Sequence, residues 1–210
     1  MKLQILIADD HAIVRRGLKE LLLEEFPAVN IADAENAGEL IKMAEHQKWD
    51  LIICDINMPG RSGIDALHQL KQDFPGIPVL IMSMYSEDQY ALRAFKAGAA
   101  GYLAKETVHS NLIKAVKDVL AGKKFITPAI AEKLACSLED TGEKQLHEQL
   151  SNREFEIFKL LTAGQSASAI AELLSVSTTT VSTYRSRILD KMKMKSNADL
   201  IRYAVEKNLV

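Results

Sequence analysis

The feature that most constrains the fold is a regular alternation of short apolar runs and amphipathic segments in residues 3–124. Between the apolar runs, leucine, isoleucine and valine recur at spacings of three and four residues, as on the buried face of a helix. Strands that alternate with helices in this way predict a parallel sheet covered on both faces. The predicted strands are LQILIA (3–8), VNIADA (29–34), DLIICD (50–55), PVLIMS (78–83) and GYLA (101–104). We therefore expect an α/β domain with a doubly wound, five-stranded parallel sheet.

The rest of the chain has a different pattern, with no convincing strand after residue 146. Four helical patterns occupy about 152–162, 167–174, 178–193 and 197–207. A helix-like piece and a polar, acidic stretch separate these helices from the α/β region. We predict an α/β domain over residues 1–125, a linker over 126–146 and a small all-α domain over 147–210.

Composition narrows the cellular setting. With 48% hydrophobic and 26% charged residues, the chain has the balance of an ordinary soluble globular protein. Two cysteines are too few for a disulfide framework and suit a reducing compartment. The first apolar run is too short for a signal peptide, and no stretch approaches the roughly 20 apolar residues of a membrane helix. We expect a cytoplasmic protein without a membrane partner.

Charged and hydroxyl side chains follow several of the predicted strands. Asp9 and Asp10 follow the first strand, Asp55 ends the third, Ser83 closes the fourth and Lys105 follows the fifth. A single aspartate at a strand end is often only a helix cap, so one such residue would decide nothing. Because the carboxyl ends of parallel strands meet at one edge of a sheet, we expect these side chains to lie together. Clustered carboxylates require a cation, and an all-oxygen site favours Mg²⁺.

This cluster predicts phosphoryl chemistry. An ionised Asp55 beside Mg²⁺ and Lys105 is a plausible nucleophile toward phosphorus, because the two cations neutralise charge on the transferred oxygens. A Mg²⁺-dependent phosphohydrolase with an aspartyl-phosphate intermediate is the alternative from another class. Such an enzyme usually needs a second acid two residues after the nucleophile, and Asn57 cannot act as one. A scaffold that cannot be phosphorylated is disfavoured because all the expected polar groups are present.

Residues 3–121 resemble the receiver domain of bacterial two-component response regulators. The matching residues are Asp9, Asp10, Asp55, Asn57, Met58, Pro59, Gly60, Ser83 and Lys105. The family often has a cis proline after the lysine. Glu106 stands there instead, and a cis bond before a residue other than proline costs about 3 kcal/mol, so that geometry is not expected.

The resemblance to receiver domains implies a role for each motif residue. Asp55 would accept a phosphoryl group from a histidine kinase, and Lys105 would pair with the phosphate. Ser83 and Tyr102 match two switch positions that repack on phosphorylation. The Mg²⁺ ligands would be Asp10, Asp55, the backbone carbonyl of Asn57 and, through a water, Asp9.

The C-terminal region contains a basic helix after a short turn. Five of the nine basic residues in 147–210 fall within 185–195, and Ser177 is a favourable cap for the helix that follows it. Apolar side chains on one face predict a core contact; they are Val181, Ile188 and Met192. Hydroxyls lie opposite, on Thr179, Ser182, Thr183 and Ser186, and cations flank them, on Arg185, Arg187 and Lys191. This arrangement suits a helix in the major groove of DNA, but an ordinary solvated surface helix has a similar composition.

Residues 147–210 resemble the LuxR-type helix-turn-helix domain of the NarL/FixJ group. The matching residues are Leu150, Ser151, Arg153, Glu154, Gly164, Ile170, Ala171, Leu174, Ser177, Thr180, Val181, Ile188, Lys191 and Leu200. The resemblance adds Thr180 and Tyr184 to the expected DNA-binding residues, with Tyr184 where many members have histidine. The two resemblances imply a DNA-binding response regulator whose dimerisation is controlled by phosphorylation, and not an enzyme in the ordinary sense. Its expected partners are a histidine kinase, double-stranded DNA and a second copy of the chain.

The histidines show no metal-binding spacing in the sequence. They are His11, His46, His68, His109 and His147. We interpret them as surface residues or as residues satisfied by local hydrogen bonds.

Overall fold

The computed structural model describes residues 2–84, 87–139, 145–207 and 209. The chain divides into two compact units, Met1–Asp140 and Thr141–Val210, and buried apolar side chains form a core in each. In these described ranges, no helix has both the length and the apolar character needed to cross a membrane.

A five-stranded parallel sheet forms the centre of the first unit, and this confirms the predicted fold class. The strands are β1 (Gln4–Ala8), β2 (Asn30–Ala34), β3 (Leu51–Asp55), β4 (Val79–Ser83) and β5 (Gly101–Ala104). They lie in the order β2-β1-β3-β4-β5, and every neighbouring pair is parallel. The chain therefore continues to one side after β1 and to the other side after β3. In such sheets, ligands bind beyond the carboxyl ends of these two neighbouring strands.

Helices cover the sheet. They are α1 (Ala12–Glu25), α2 (Ala37–His46), α3 (Gly63–Asp73), α4 (Glu87–Lys96) and α5 (Val108–Leu120). All five residues of β3 and all five of β4 are buried, as expected for central strands packed on both faces. One side of the sheet forms its core with α1 and α5, through side chains such as Leu18, Leu22 and Val116. This core fixes the strand ends that carry the polar residues.

A sixth helix, α6 (Pro128–Glu139), lies within the segment predicted as a linker. It packs against α4, and its Ile130 side chain is buried. Just before it, Phe125 forms a parallel backbone bridge with Gly101 at the start of β5. The helix-like pattern at 128–135 therefore corresponds to a longer helix on the first unit. Most of the acidic stretch that follows, residues 140–144, lies outside the described residues.

The described part of the second unit is helical. Its helices are α7 (Asn152–Thr162), α8 (Ala167–Leu173), α9 (Thr178–Met192) and α10 (Asn197–Glu206), each within one residue of the predicted bounds. Serine side chains cap the start of all four, and Ser177 accepts the predicted hydrogen bond from the Thr180 backbone N–H. Ser175 has a left-handed backbone (φ 52°), which produces the sharp turn between α8 and α9. The pair α8 and α9 forms the predicted helix-turn-helix.

Candidate functional site

The acidic residues of β1 and β3 meet at the carboxyl edge of the sheet. Asp9 directly follows β1, and Asp55 is the last residue of the neighbouring strand β3. Their exposed fractions are only 0% and 1%. Asp10 and His11 lie beside them, and one potential ligand atom from each of the four residues lies within 4.8 Å of the others. The structure therefore brings together the three predicted carboxylates and adds a histidine.

Lys105 makes this concentration of negative charge possible. Its Nζ lies 2.7 Å from Asp9 Oδ2 and 2.8 Å from Asp55 Oδ2, and its side chain is only 9% exposed. Buried carboxylates cost several kcal/mol unless a partner compensates them. A single ammonium group at the end of β5 thus bridges both buried aspartates.

Burial shapes the protonation of the site. It raises the pKa of Asp55 to about 6; Lys105 opposes this change, and the nearby Asp9 carboxylate adds to it. Burial alone would lower the pKa of Lys105, but the Asp55 and Asp9 carboxylates raise it above the ordinary value. Near neutral pH the site therefore contains a largely ionised Asp55 and a charged Lys105. This combination suits nucleophilic attack by a carboxylate.

The loop after β3 requires glycine at two points. Gly60 has a left-handed backbone (φ 79°), so it can turn the chain away from Asp55. Gly63, at the start of α3, donates its N–H to Ile56 O at 2.8 Å. A Cβ atom at Gly63 would lie 1.8 Å from the Asp55 carbonyl oxygen. Gly60 is among the residues that match the receiver motif in the sequence, but Gly63 was missed because its only local signal is a glycine that opens a helix.

The donor set fits a divalent cation. Among the described residues, Asp55 Oδ1 and Asn57 Oδ1 are buried side-chain oxygens without a hydrogen-bond partner. Carboxylate and carbonyl oxygens are the ligands that Mg²⁺ prefers. The residues at this edge of the sheet therefore satisfy the chemical requirement for a Mg²⁺ site.

A buried arginine, which sequence reasoning missed, supports the Asp9 backbone. Arg15 on α1 donates to the Asp9 carbonyl oxygen at 2.8 Å, to Asp33 Oδ2 at 3.1 Å and to Glu35 Oε1 at 2.5 Å. Charged hydrogen bonds of this kind are strong because the guanidinium group is planar and always charged. Arg15 thus ties the end of β1 to the end of β2. The available signal was an acid near the end of the second predicted strand, Asp33, and another just after it, Glu35.

His11 is exposed and has local partners, as the sequence interpretation expects. Its Nδ1 lies 2.8 Å from Asp10 Oδ1 and 3.3 Å from Asp9 Oδ1, and its backbone N–H donates to the same Asp9 oxygen. The sequence did not show that a ring nitrogen of His11 also lies within 4.8 Å of a ligand atom of Asp55, which is distant in sequence.

The two predicted switch residues lie in the sheet. Ser83 ends β4 and Tyr102 lies in β5, and both side chains are fully buried. In the register of these strands Ser83 pairs with Ala104, directly before Lys105. Ser83 is therefore close in the sheet to the lysine of the acidic site. The described peptide bonds include no cis bond, and the bond between Lys105 and Glu106 is accordingly trans.

In the second unit, α9 has the two faces that the sequence predicts. Val181 and Ile188 are 0% exposed and Met192 is 1% exposed, so this face forms the core. The hydroxyl residues of the opposite face, Thr179, Ser182, Thr183 and Ser186, are exposed, and so is Arg187 on the flank. A polar helix face with an exposed arginine is available for a partner.

Several other residues predicted to bind DNA make contacts within the unit. Lys191 Nζ lies 2.6 Å from Oε2 of the buried Glu154, and Arg185 Nε donates to Asn197 Oδ1 at 2.6 Å. The Thr180 hydroxyl lies 2.8 Å from the Ser177 hydroxyl at the start of α9. The Arg187 guanidinium stacks near the Tyr184 ring, 5.9 Å from its centroid. Lys191 and Arg185 therefore anchor α9 to α7 and to the start of α10.

An acidic cluster at the switch point of a parallel sheet, joined in one chain to a helix-turn-helix, is the arrangement of a DNA-binding regulator with a separate regulatory domain. The model of the response regulator receiver domain matches residues 5–117, and that of the LuxR family of bacterial regulatory proteins matches 148–204. The chain belongs to the response regulators, and it is a DNA-binding response regulator of two-component systems.

Two curated relatives illustrate the similarity over the full chain. The response regulator GacA of Pseudomonas viridiflava is 32% identical, and the match covers 99% of this chain and 98% of GacA. The oxygen regulatory protein NreC of Staphylococcus carnosus is 34% identical, with 99% of each chain covered.

Solved structures also match over nearly the whole chain. One is RcsB from Salmonella enterica serovar Typhimurium, bound to a promoter in the presence of the phosphomimetic BeF₃⁻. It is 25% identical, with a TM-score of 0.60, and 97% of this chain and 98% of RcsB are covered. Another contains two RcsB dimers bound to two parallel DNAs; it is 25% identical, with a TM-score of 0.59 and 98% of each chain covered.

Proposed function

We propose that this chain is a cytoplasmic transcription regulator in which phosphorylation of Asp55 by a histidine kinase promotes dimerisation and DNA binding. The observation that carries the proposal is the pair of contacts from Lys105 to Asp9 and Asp55 inside a buried site. A buried carboxylate with an adjacent ammonium group is better explained by a role in phosphoryl transfer than by a role as a helix cap. The domain assignment follows from this role: 1–125 receives the phosphoryl group, 126–146 connects, and 147–210 binds DNA.

The bonds that change in the transfer step belong to the Asp55 carboxylate and a phosphohistidine donor. One Asp55 oxygen forms a bond to phosphorus as the bond between phosphorus and the histidine nitrogen breaks. The leaving imidazole keeps the electron pair and takes up a proton. The charged Lys105 stabilises the negative charge on the phosphoryl oxygens. Ser83, which pairs across the sheet with the residue before Lys105, offers a hydroxyl to the same oxygens.

We propose that the cofactor is Mg²⁺, and that Asp10, Asp55 and the backbone carbonyl of Asn57 would hold it, with Asp9 acting through a water. When bound, Mg²⁺ supplies positive charge to the phosphoryl oxygens. The unpartnered buried oxygen of Asp55 supports this assignment. The chain's own residues orient the nucleophile: Gly63 lets the loop close under Asp55, and Arg15 fixes the backbone of Asp9.

We propose no turnover of phosphate esters. A phosphohydrolase of the aspartyl-phosphate class would need a general acid two residues after Asp55, and Asn57 has no ionisable proton. Asp55 therefore participates in its own phosphorylation, and the product is a signalling state.

We propose that Ser83 and Tyr102 transmit the phosphorylation by repacking at β4 and β5. The candidate dimer surfaces are α4 or α5 of the first unit and α10 of the second, near Asn197–Tyr203. On α10, Ile201 is 39% exposed and Val205 is 60% exposed, four residues apart and thus on one face. Their apolar side chains support α10 as a contact between two copies.

Phosphorylation is expected to convert a monomer into a dimer and to raise DNA affinity at least about tenfold, because the second module then binds at high effective concentration. A genomic fragment selected by the protein can be titrated by fluorescence anisotropy, and light scattering gives the mass. Both are measured before and after treatment with acetyl phosphate and Mg²⁺. The same treatment of Asp55→Asn is the control. Unchanged mass and affinity after stoichiometric phosphorylation would contradict the proposal.

We propose a division of labour on α9 for DNA contact. Short hydroxyl side chains face the base edges; they are Thr179, Thr180, Ser182, Thr183 and Ser186. Hydroxyls can donate or accept, so they discriminate weakly beside a bidentate arginine–guanine pair. The phosphate contacts come from Tyr184, Arg185, Arg187 and Lys191, with Lys193 and Lys195 beyond the helix. Because Lys191 and Arg185 have partners within the unit, Arg187 should contribute the most.

The salt dependence of DNA binding tests this division. If two protomers each neutralise about three phosphates, the slope of log affinity against log salt should be near −5. Arg187→Ala should flatten it by about 1 per protomer and weaken all sequences alike. Ser182→Ala should change the preferred sequence and keep the slope, and Lys207→Ala, outside α9, is the charge-matched control. A loss of preference at one base pair in Arg187→Ala, with an unchanged slope, would make Arg187 the base reader.

A further inference from the structure

We propose that the cation site of the first unit is a mixed nitrogen–oxygen site in which His11 is a direct ligand for borderline divalent ions such as Co²⁺, Ni²⁺ and Zn²⁺. The inference rests on the proposed Mg²⁺ site and extends its ligand set. The observation that carries it is the placement of a His11 ring nitrogen within 4.8 Å of a carboxylate oxygen of each of Asp9, Asp10 and Asp55.

The spacing of the donor atoms supports coordination. His11 Nδ1 lies 2.8 Å from Asp10 Oδ1 and 3.3 Å from Asp9 Oδ1. Adjacent ligands of an octahedral ion, at bond lengths of about 2.1 Å, are separated by roughly 3 Å. The four donors are all within 4.8 Å of one another, so one ion can reach them with small adjustments.

A second observation points to a ligand at the same place. Asp55 is 1% exposed, and its Oδ1 atom has no hydrogen-bond partner among the described residues. Its other oxygen is paired with Lys105. A buried carboxylate oxygen without a hydrogen-bond partner, on a residue of the cluster, is a strong position for a cation.

The fourth donor is a ring nitrogen of His11, and its chemistry decides which ions bind more tightly. Imidazole nitrogen suits Zn²⁺, Ni²⁺ and related ions, whereas Mg²⁺ takes oxygen ligands and keeps several waters. His11 is 62% exposed at its side chain, so its ring can rotate toward an ion or leave it. We therefore expect His11 to bind the borderline ions and to leave Mg²⁺ binding to the oxygens.

Calorimetric titration of the full, tag-free chain with Co²⁺ and, separately, with Mg²⁺ tests the inference. The variants are His11→Ala and His11→Asn, and His109→Ala is the control because it removes an exposed histidine outside the cluster. Loss of an outer-shell partner alone costs about 10–100-fold in metal affinity. We therefore expect both His11 variants to lose at least about tenfold in Co²⁺ affinity and less than about twofold in Mg²⁺ affinity.

The ratio of the two affinities separates a ligand from a supporting contact. If His11 only held Asp10 by a hydrogen bond, Co²⁺ and Mg²⁺ would weaken together in His11→Ala. Equal losses, or no loss for Co²⁺, would overturn the inference and leave the proposed Mg²⁺ site intact. An unsubstituted chain that binds no Mg²⁺ would instead contradict the proposed phosphoacceptor site. Retained Mg²⁺ binding in each variant also shows that its first unit is folded.

Discussion

Asp55→Asn is expected to abolish phosphorylation by acetyl phosphate and Mg²⁺. Asparagine is nearly the same size as aspartate, but its neutral amide is not a nucleophile toward phosphorus at neutral pH. Intact-mass measurement should show one added phosphoryl group on the unsubstituted chain and none on the variant. The linkage should be stable in acid and labile in base, as for an acyl phosphate. Asp73→Asn, at the exposed end of α3, should be phosphorylated normally.

The variant should also be at least as stable as the unsubstituted chain, so loss of phosphorylation will not reflect unfolding. The pKa of Asp55 rises from 3.8 to about 6 in the fold because the group is buried. Between these two pKa values the unfolded chain binds fewer protons than the folded chain. The free energy of unfolding therefore falls as the pH rises through about 6. At pH 8 without metal, removing the charge should therefore stabilise the first unit by up to about 3 kcal/mol.

Urea unfolding followed by Trp49 fluorescence measures this stability. Trp49 is the single tryptophan of the chain and is 5% exposed in the first unit, so its signal reports on that unit. An added phosphoryl group on folded Asp55→Asn would show that the acceptor has been wrongly assigned.

Gly63→Ala is expected to destabilise the first unit by about 3–5 kcal/mol, a large effect for a single methyl group. The added Cβ would lie 1.8 Å from the Asp55 carbonyl oxygen, which is far inside van der Waals contact. Neither backbone can move alone, because Gly63 N–H bonds Ile56 O and Asp55 lies in the central strand β3. The loop would have to open directly beneath the nucleophile, so the phosphorylation rate should fall as well.

Gly17→Ala is the matched control for this prediction. Gly17 lies inside α1, and a Cβ atom there would meet nothing within 4 Å. Because glycine costs about 0.5–1 kcal/mol relative to alanine in a helix, this substitution should stabilise the unit. The same Trp49 unfolding measurement serves both variants. If Gly63→Ala lowered the free energy of unfolding by less than about 1 kcal/mol, the loop would relax easily and would not constrain Asp55.

The sequence by itself determined the secondary structure and the order of the polar residues along it. Strands β1 to β5 follow from apolar periodicity over a few residues. The helix bounds of the second unit follow from periodicity and from capping residues at the helix ends. The positions of Asp9, Asp55 and Lys105 directly after strands followed from the same local pattern. Their meeting at one edge followed from the parallel sheet.

The tertiary structure alone decided the contacts that complete each site. Lys105 bridges Asp9 and Asp55, Arg15 holds the Asp9 backbone, and Glu154 holds Lys191 from 37 residues away. Such contacts depend on strand register, on loop closure and on how side chains pack between elements. None of these is encoded in the spacing of neighbouring residues, because one local pattern is compatible with many packing arrangements. For the same reason the sequence could place Gly63 and His11 next to motifs but could not show what each of them contacts.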